Sequence, residues 1–210
     1  MRVAALAEDA RVFRLRRLLP GLILAALPVF AHAHGETVSI PSVAARDVPR
    51  ALAVRGELGT PPRGVVELRF GEIFRTPVGP LGLEPSEKLA TLDGKRVRMV
   101  GYVVPLHPPA EDRFLLSPLA VDIGHEDESL ADNIPPSAVM VHLSESAGAT
   151  IPRIPGLVQL TGTLSVGSRE DAASGRVSSV QLTLDAPVAR ALRRVSREAA
   201  RSAESPRHRH

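Results

Sequence analysis

Between Leu157 and Val166 apolar and polar residues alternate without a break. Val158, Leu160, Gly162, Leu164 and Val166 fall on one side, and Gln159, Thr161, Thr163 and Ser165 on the other. This period of two defines a half-buried strand. Val180, Leu182 and Leu184 alternate in the same way with Ser179, Gln181 and Thr183. The polar stretch from Gly167 to Gly175 between these runs predicts an exposed hairpin loop. Residues 97–104 are apolar on both faces after Arg98, which predicts two-sided burial for the second half of that strand. Gly101 interrupts it and predicts a bend or bulge of the kind barrels use at corners. Residues 138–143 and 114–116 are shorter apolar runs, and 65–70 is a sixth that precedes the main set. Asp93-Gly94 signals a turn, and Glu84 to Leu89 reads as one or two helical turns with Pro85 near their start.

The period changes after Pro187. Val188, Leu192, Val195 and Ala199 recur at spacings of four, three and four, which is one face of a helix, and arginines fill the remainder. The apolar stripe is thin. It predicts a surface helix over 187–203 that adds little stability, its Arg194–Glu198 pair contributing a few tenths of a kcal/mol. The pattern as a whole predicts a mainly all-β fold, a small OB-like Greek-key barrel of about five strands at 95–105, 113–117, 138–143, 157–166 and 177–185. A short helix precedes this β-barrel and the amphipathic helix follows it. Val97, Met99, Val103, Val139, Val141, Leu160, Leu164, Leu182 and Leu184 are expected to share one core.

Four segments follow from this reading: a signal peptide at 1–33, a flexible linker or loosely packed arm at 34–63, the OB-like domain at 64–187, and a basic helix and tail at 188–210. The first rests on Arg11, Arg14, Arg16 and Arg17, then the apolar run Leu18 to Phe30, then Ala31-His32-Ala33. Basic, apolar and small-x-small in that order describe a secretory signal. The apolar run is shorter than the ~20 residues that span a bilayer. A periplasmic address is therefore expected, with no transmembrane segment after cleavage.

Charge changes its meaning once the segments are separated. The net +3 of the whole chain equals that of residues 1–33, which hold five Arg and two acids. From His34 onward basic and acidic residues balance at 21 each, with residues 34–189 at −5 and residues 190–210 at +5. An acidic body with few aromatics argues against nucleic acid as a partner. The basic helix is instead a candidate for weak contact with a membrane surface or an acidic partner. The chain has no cysteine, which excludes disulfides, thiolate chemistry and a lipoprotein anchor.

The stretch from Leu92 to Pro105, LDGKRVRMVGYVVP, resembles the signature of a bacterial exported family, domain of unknown function 3299. Phe74 to Glu84, Phe114 to Pro118 and Ala131 to Pro136 are similar in order and spacing to one of its subgroups. The resemblance covers about residues 65–187. It implies an OB-like fold and an exported address and assigns no activity. Members of the family often carry a Cys/His loop before the third strand; here residues 122–136 hold His125 and no Cys.

Candidate chemistry concentrates in two places. Asp122, His125, Glu126, Asp127, Glu128 and Asp132 offer an imidazole and carboxylates, donors for Zn²⁺ or another divalent ion such as Ca²⁺, against the plainer reading of an acidic solvated loop. Cleavage after Ala33 would expose His34 as the first residue. Cleavage after Ala31 would leave His32-Ala33-His34, whose amine, backbone nitrogens and third-position imidazole suit square-planar Cu²⁺ or Ni²⁺. His107 lies in the loop after the first barrel strand, where OB-type domains often bind ligands. No Gly-x-Ser-x-Gly elbow is present, and Ser144 and Ser146 after His142 do not make a triad by adjacency. The expectation is a non-enzymatic envelope accessory protein that binds a protein partner, as part of an envelope protein complex, or a small ligand without a cofactor. Its rival is a divalent-metal-binding protein. If the signal reading holds, the intact mass of protein recovered from the periplasm will begin at His34, or at His32; a chain retaining Leu18 to Phe30 would overturn it.

Overall fold

The computed structural model describes residues 40–121 and 134–205. Strands β1 (Val66–Glu67), β2 (Arg96–Val104), β3 (Arg113–Ser117), β4 (Val139–His142), β5 (Val158–Asp171) and β6 (Arg176–Leu184) form one mixed sheet. Helix α1 (Glu87–Thr91) precedes β2, and helix α2 (Ala186–Glu204) follows β6. All five main strands lie where alternation and apolar runs predicted them, within two residues at each end except the end of β5. The expected barrel of about five strands is found as a six-stranded mixed sheet, and its pairings are not all antiparallel. β1 runs parallel to β2, and β4 parallel to β6. The second follows from chain order, because β5 crosses between β4 and β6 and reverses direction before β6 begins.

The sheet order β1-β2-β3-β4-β6-β5 carries one further pairing, between β2 and β5. β2 therefore has two antiparallel partners besides β1. Residues Arg96 to Gly101 pair with β5, and Tyr102 to Val104 pair with β3. The handover falls at Gly101. A Cβ there would stand 2.7 Å from the Ser117 carbonyl oxygen and 2.9 Å from the Phe70 ring, closer than real Cβ contacts allow. Gly162 does the same for β5, pairing with both Val97 and Leu184, and its Cβ would meet the Thr183 carbonyl oxygen at 2.3 Å. The glycines are present because neighbouring backbone occupies the side-chain space.

All nine residues expected in the core lie in one buried cluster. Two features of that cluster and one of the β5–β6 hairpin depart from the expectations. Val48 and Leu52, within the 34–63 segment expected to be a loose arm, are 5% and 0% exposed and belong to the core. Backbone bridges from Ser42 to Arg153 and from Ala53 to Val158 lay this segment along the body. Its prolines end regular structure, but its apolar residues still gain by leaving water. Val188, Leu192 and Val195 of α2 are likewise buried in the core, so the thin stripe is integral rather than superficial. The hairpin loop is also shorter than expected: β5 continues to Asp171 across an irregularity between Val166 and Arg169, because paired backbone tolerates outward polar side chains.

Arg98 is a buried cation on β2. Its guanidinium donates to the Gly59 carbonyl at 2.8 Å and to Glu67 Oε2 at 2.7 Å, tying β1 and the preceding loop to the sheet. The hydrogen bond from Arg98 holds the Glu67 carboxyl below its usual range. Arg96 bonds Asp185 at 2.6 Å, which likewise lowers the Asp185 carboxyl and fixes the residue before α2. A second, smaller cluster of Val104, Leu106, Leu115 and Met140 forms apart from the first, with Val121 and Ile134 packed on it.

Truncating Leu160 to Ala is expected to cost about 2–5 kcal/mol, the range for a fully buried leucine. Leu192→Ala on α2 should cost a similar amount in urea denaturation. A loss below about 0.5 kcal/mol, as for an ordinary surface change, would return α2 to the role of a superficial helix.

Candidate functional site

The polar cleft of this fold lies at one end of the sheet, with a volume of about 440 Å³. One wall is the β2–β3 connection, from Pro108 to Asp112; the other is the chain leaving β4, from Leu143 to Ser146. The tip of the β5–β6 hairpin closes it at Ala173. The two walls are laced by backbone hydrogen bonds. Leu143 N donates to Asp112 O at 2.8 Å, Ala147 N to Glu111 O at 2.8 Å, and Ile151 N to Ala110 O at 3.0 Å. Irregular backbone on both sides is thereby held as a fixed surface.

Side chains continue the lacing. Ser146 Oγ donates to Glu111 Oε2 at 2.6 Å. Arg113 at the start of β3 reaches Asp112 at 2.8 Å and Asp171 at 2.6 Å, joining the floor to the hairpin. Asp171 Oδ2 accepts from Ser174 N at 3.0 Å and from Ser174 Oγ at 2.6 Å, and this turn brings Gly175 to a φ of +65°. Burial pushes the Asp171 carboxyl up, but the Ser174 hydrogen bonds and Arg113 outweigh it and leave it below its usual range. Glu145 on the rim accepts from Arg193 of α2. His142 is the register partner of Arg113, half-buried beneath the cleft, and burial lowers its imidazole from the ordinary 6.5.

The cleft thus presents carboxylates of Glu111, Asp112 and Glu145 and hydroxyls of Ser144 and Ser146 beside two proline rings, with Arg113 balanced by its acidic partners. Such a surface accepts hydrogen bonds from hydroxyl and ammonium groups. His107 is half-buried on the same connection, just ahead of the wall. The metal candidates Asp122, His125, Asp127, Asp132 and His34 lie outside the described residues. Among the described residues no group of three or more His, Asp or Glu is arranged to hold a metal. Arg113, Glu111 and Asp171 carried no signal as site residues in one dimension; only the Asp171-to-Gly175 turn pattern, an Asp that caps its own turn before a Gly, was there to be read.

A second concavity lies elsewhere. The turn at Pro49 to Ala51 and the outer side of α2 from Pro187 to Arg197 enclose a groove of about 890 Å³.

No family model and no curated protein matches this chain. A crystal structure of a DUF3299 family protein from Pseudomonas aeruginosa is similar to it at 16% identity and a TM-score of 0.40, covering 60% of this chain and 94% of that one.

Asp171 and His142 contribute to the acid limb of stability, beside the lowered carboxyls of Glu67, Glu72 and Asp185. The folded pKa of Asp171 lies below the ordinary 3.8, so its contribution is complete above that value and is lost as pH falls through the folded one. The folded pKa of His142 lies below 6.5, so the unfolded chain takes up its proton first and stability declines as pH drops below 6.5. Urea midpoints against pH should therefore fall in two stages. His142→Gln should flatten the upper stage and Asp171→Asn reduce the lower; an upper stage unchanged by His142→Gln would refute the assignment.

Proposed function

We propose that this chain is an exported, non-enzymatic binding domain of the OB type, acting as an accessory protein of the cell envelope and taking a small hydroxyl- or ammonium-bearing ligand in the polar cleft. The observation that carries the reading is where the cleft lies. β2, β3, β4, β6 and β5 pair in a cycle that returns to β2. Counted around that cycle, the cleft falls between the connection of the first and second strands and the hairpin of the fourth and fifth. Those are the two loops between which OB-type domains take their ligands. The laced walls support binding over turnover, since a fixed surface reduces the ordering cost of association. Basic, apolar and small residues at the N-terminus support export.

The test is a ¹⁵N-resolved titration with neutral oligosaccharides and with short polyamines. Shifts should cluster at Ala110 to Arg113, Ser144 to Ser146 and Ala173. Glu111→Gln should weaken binding by several fold, and the ligand should be recovered unchanged by mass spectrometry. Shifts confined to other faces, or conversion of the ligand, would overturn the reading.

A further inference from the structure

The groove between Pro49 to Ala51 and α2 is built for negative charge. Arg190, Arg194 and Arg197 line its helix side at spacings of four and three, and Arg50 faces them from the other wall. Arg50, Arg190 and Arg197 are exposed and have no ion-pair partner among the described residues. Arg194 meets only Glu198, at 3.9 Å, and both side chains are more than half exposed. Arg193 differs, being mostly buried and engaged with Glu145, so it is part of the wall. Glu145 and Glu198 are the acids that pair with arginines of the groove, which leaves Arg50, Arg190 and Arg197 in one concavity without an ion pair among the described residues. Like charges held together at that density cost energy unless an anion separates them.

We infer that this groove binds an extended acidic segment of a partner polypeptide. Three observations choose that occupant. The first is length. Pro187 to Arg197 spans about 15 Å of helix, so a single phosphate or carboxylate would meet one or two of the arginines and leave the rest unused. The second is spacing. Arginines four apart on a helix stand about 6 Å apart along its axis, near the ~6.6 Å between alternate side chains of an extended chain. The third is the state of the apolar face. Val188, Leu192, Val195 and Ala199 are buried in the body, and none of the exposed large apolar residues lies on α2. A helix with no apolar surface to insert, charged inside a concavity, suits a strand-like chain that enters the groove rather than a flat bilayer. Pro49, Ala51, Pro187 and Ala191 supply apolar surface between the charges for the chain's own backbone and stems. The facing wall is preformed, since Leu52 N and Ala53 N both donate to Pro49 O at 2.9 Å and the buried Val48 and Leu52 anchor the turn.

The probe is a short fluorescent peptide of alternating Glu and Ala, followed by anisotropy with the full chain. Binding should weaken steeply between about 0.02 and 0.3 M salt, as screening of exposed charges requires. Arg50→Ala, Arg190→Ala and Arg197→Ala should each weaken it by about two- to five-fold, the range for one exposed charge pair. The triple variant should bind no better than a Lys-Ala control peptide, with an unchanged melting temperature because all three side chains are exposed. Arg169→Ala, exposed on the β5–β6 hairpin, should leave binding intact. Peptide binding that survives in the triple variant overturns the inference. So does a protein that ignores the peptide but binds phosphatidylglycerol vesicles through the same arginines, which would make the groove a lipid contact.

Discussion

The structure depends on one steric constraint, the absence of a side chain at two strand positions. At Gly101 and Gly162 the backbone of a neighbouring strand occupies the volume that a Cβ would take. Because β2 can change partner at Gly101, it serves β5 with its first half and β3 with its second. Because β5 can approach so closely at Gly162, it joins β2 and β6 at one residue. These two close approaches bring the ends of the strand cycle together. Everything else is placed relative to those pairings, including the core, the polar cleft at one end of the sheet and α2 packed against the core.

Charge in this molecule is sorted by position. The cleft is lined by carboxylates held in a net of hydrogen bonds, and the α2 groove by guanidinium groups, of which Arg50, Arg190 and Arg197 have no ion-pair partner among the described residues. The two are linked at one point, since Glu145 belongs to the rim of the first and its partner Arg193 to the wall of the second. The near-neutral sum of the chain after residue 33 hides this separation, as net charge records amounts and not places.

What was legible in the sequence was local. Leu160, Leu164, Leu182 and Leu184 announce their common face through alternation, and Val188, Leu192 and Val195 through helical spacing. A period reports which face is apolar and says nothing about how deeply it is covered, so α2 reads as superficial and proves to be core. Val48 and Leu52 lie in a Pro-rich stretch with no period at all, and their burial comes from partners a hundred residues away. Arg98 reads as one polar break in an apolar run; only Glu67 and the Gly59 carbonyl, brought up by the fold, explain a buried cation there. The cleft was the least legible, because its walls come from three connections separated along the chain. His107 lies on the connection that supplies one wall, while the residues that shape the surface, Glu111, Arg113 and Asp171, had nothing to mark them.

The position of β5 in the chain order has a kinetic side. Its pairing with β2 joins residues about sixty apart, and the cycle also needs β6, the last strand made. A chain that emerges N-terminus first can form the β2–β3–β4 meander early, but one edge of β2 then stays open until Val158 to Gly162 arrive. Such non-local closure slows folding, and an unpaired edge is a place where chains associate wrongly. The cycle of strand pairings therefore cannot be completed before residues 176–184 have been made, so the chain's own order sets the last step of its assembly.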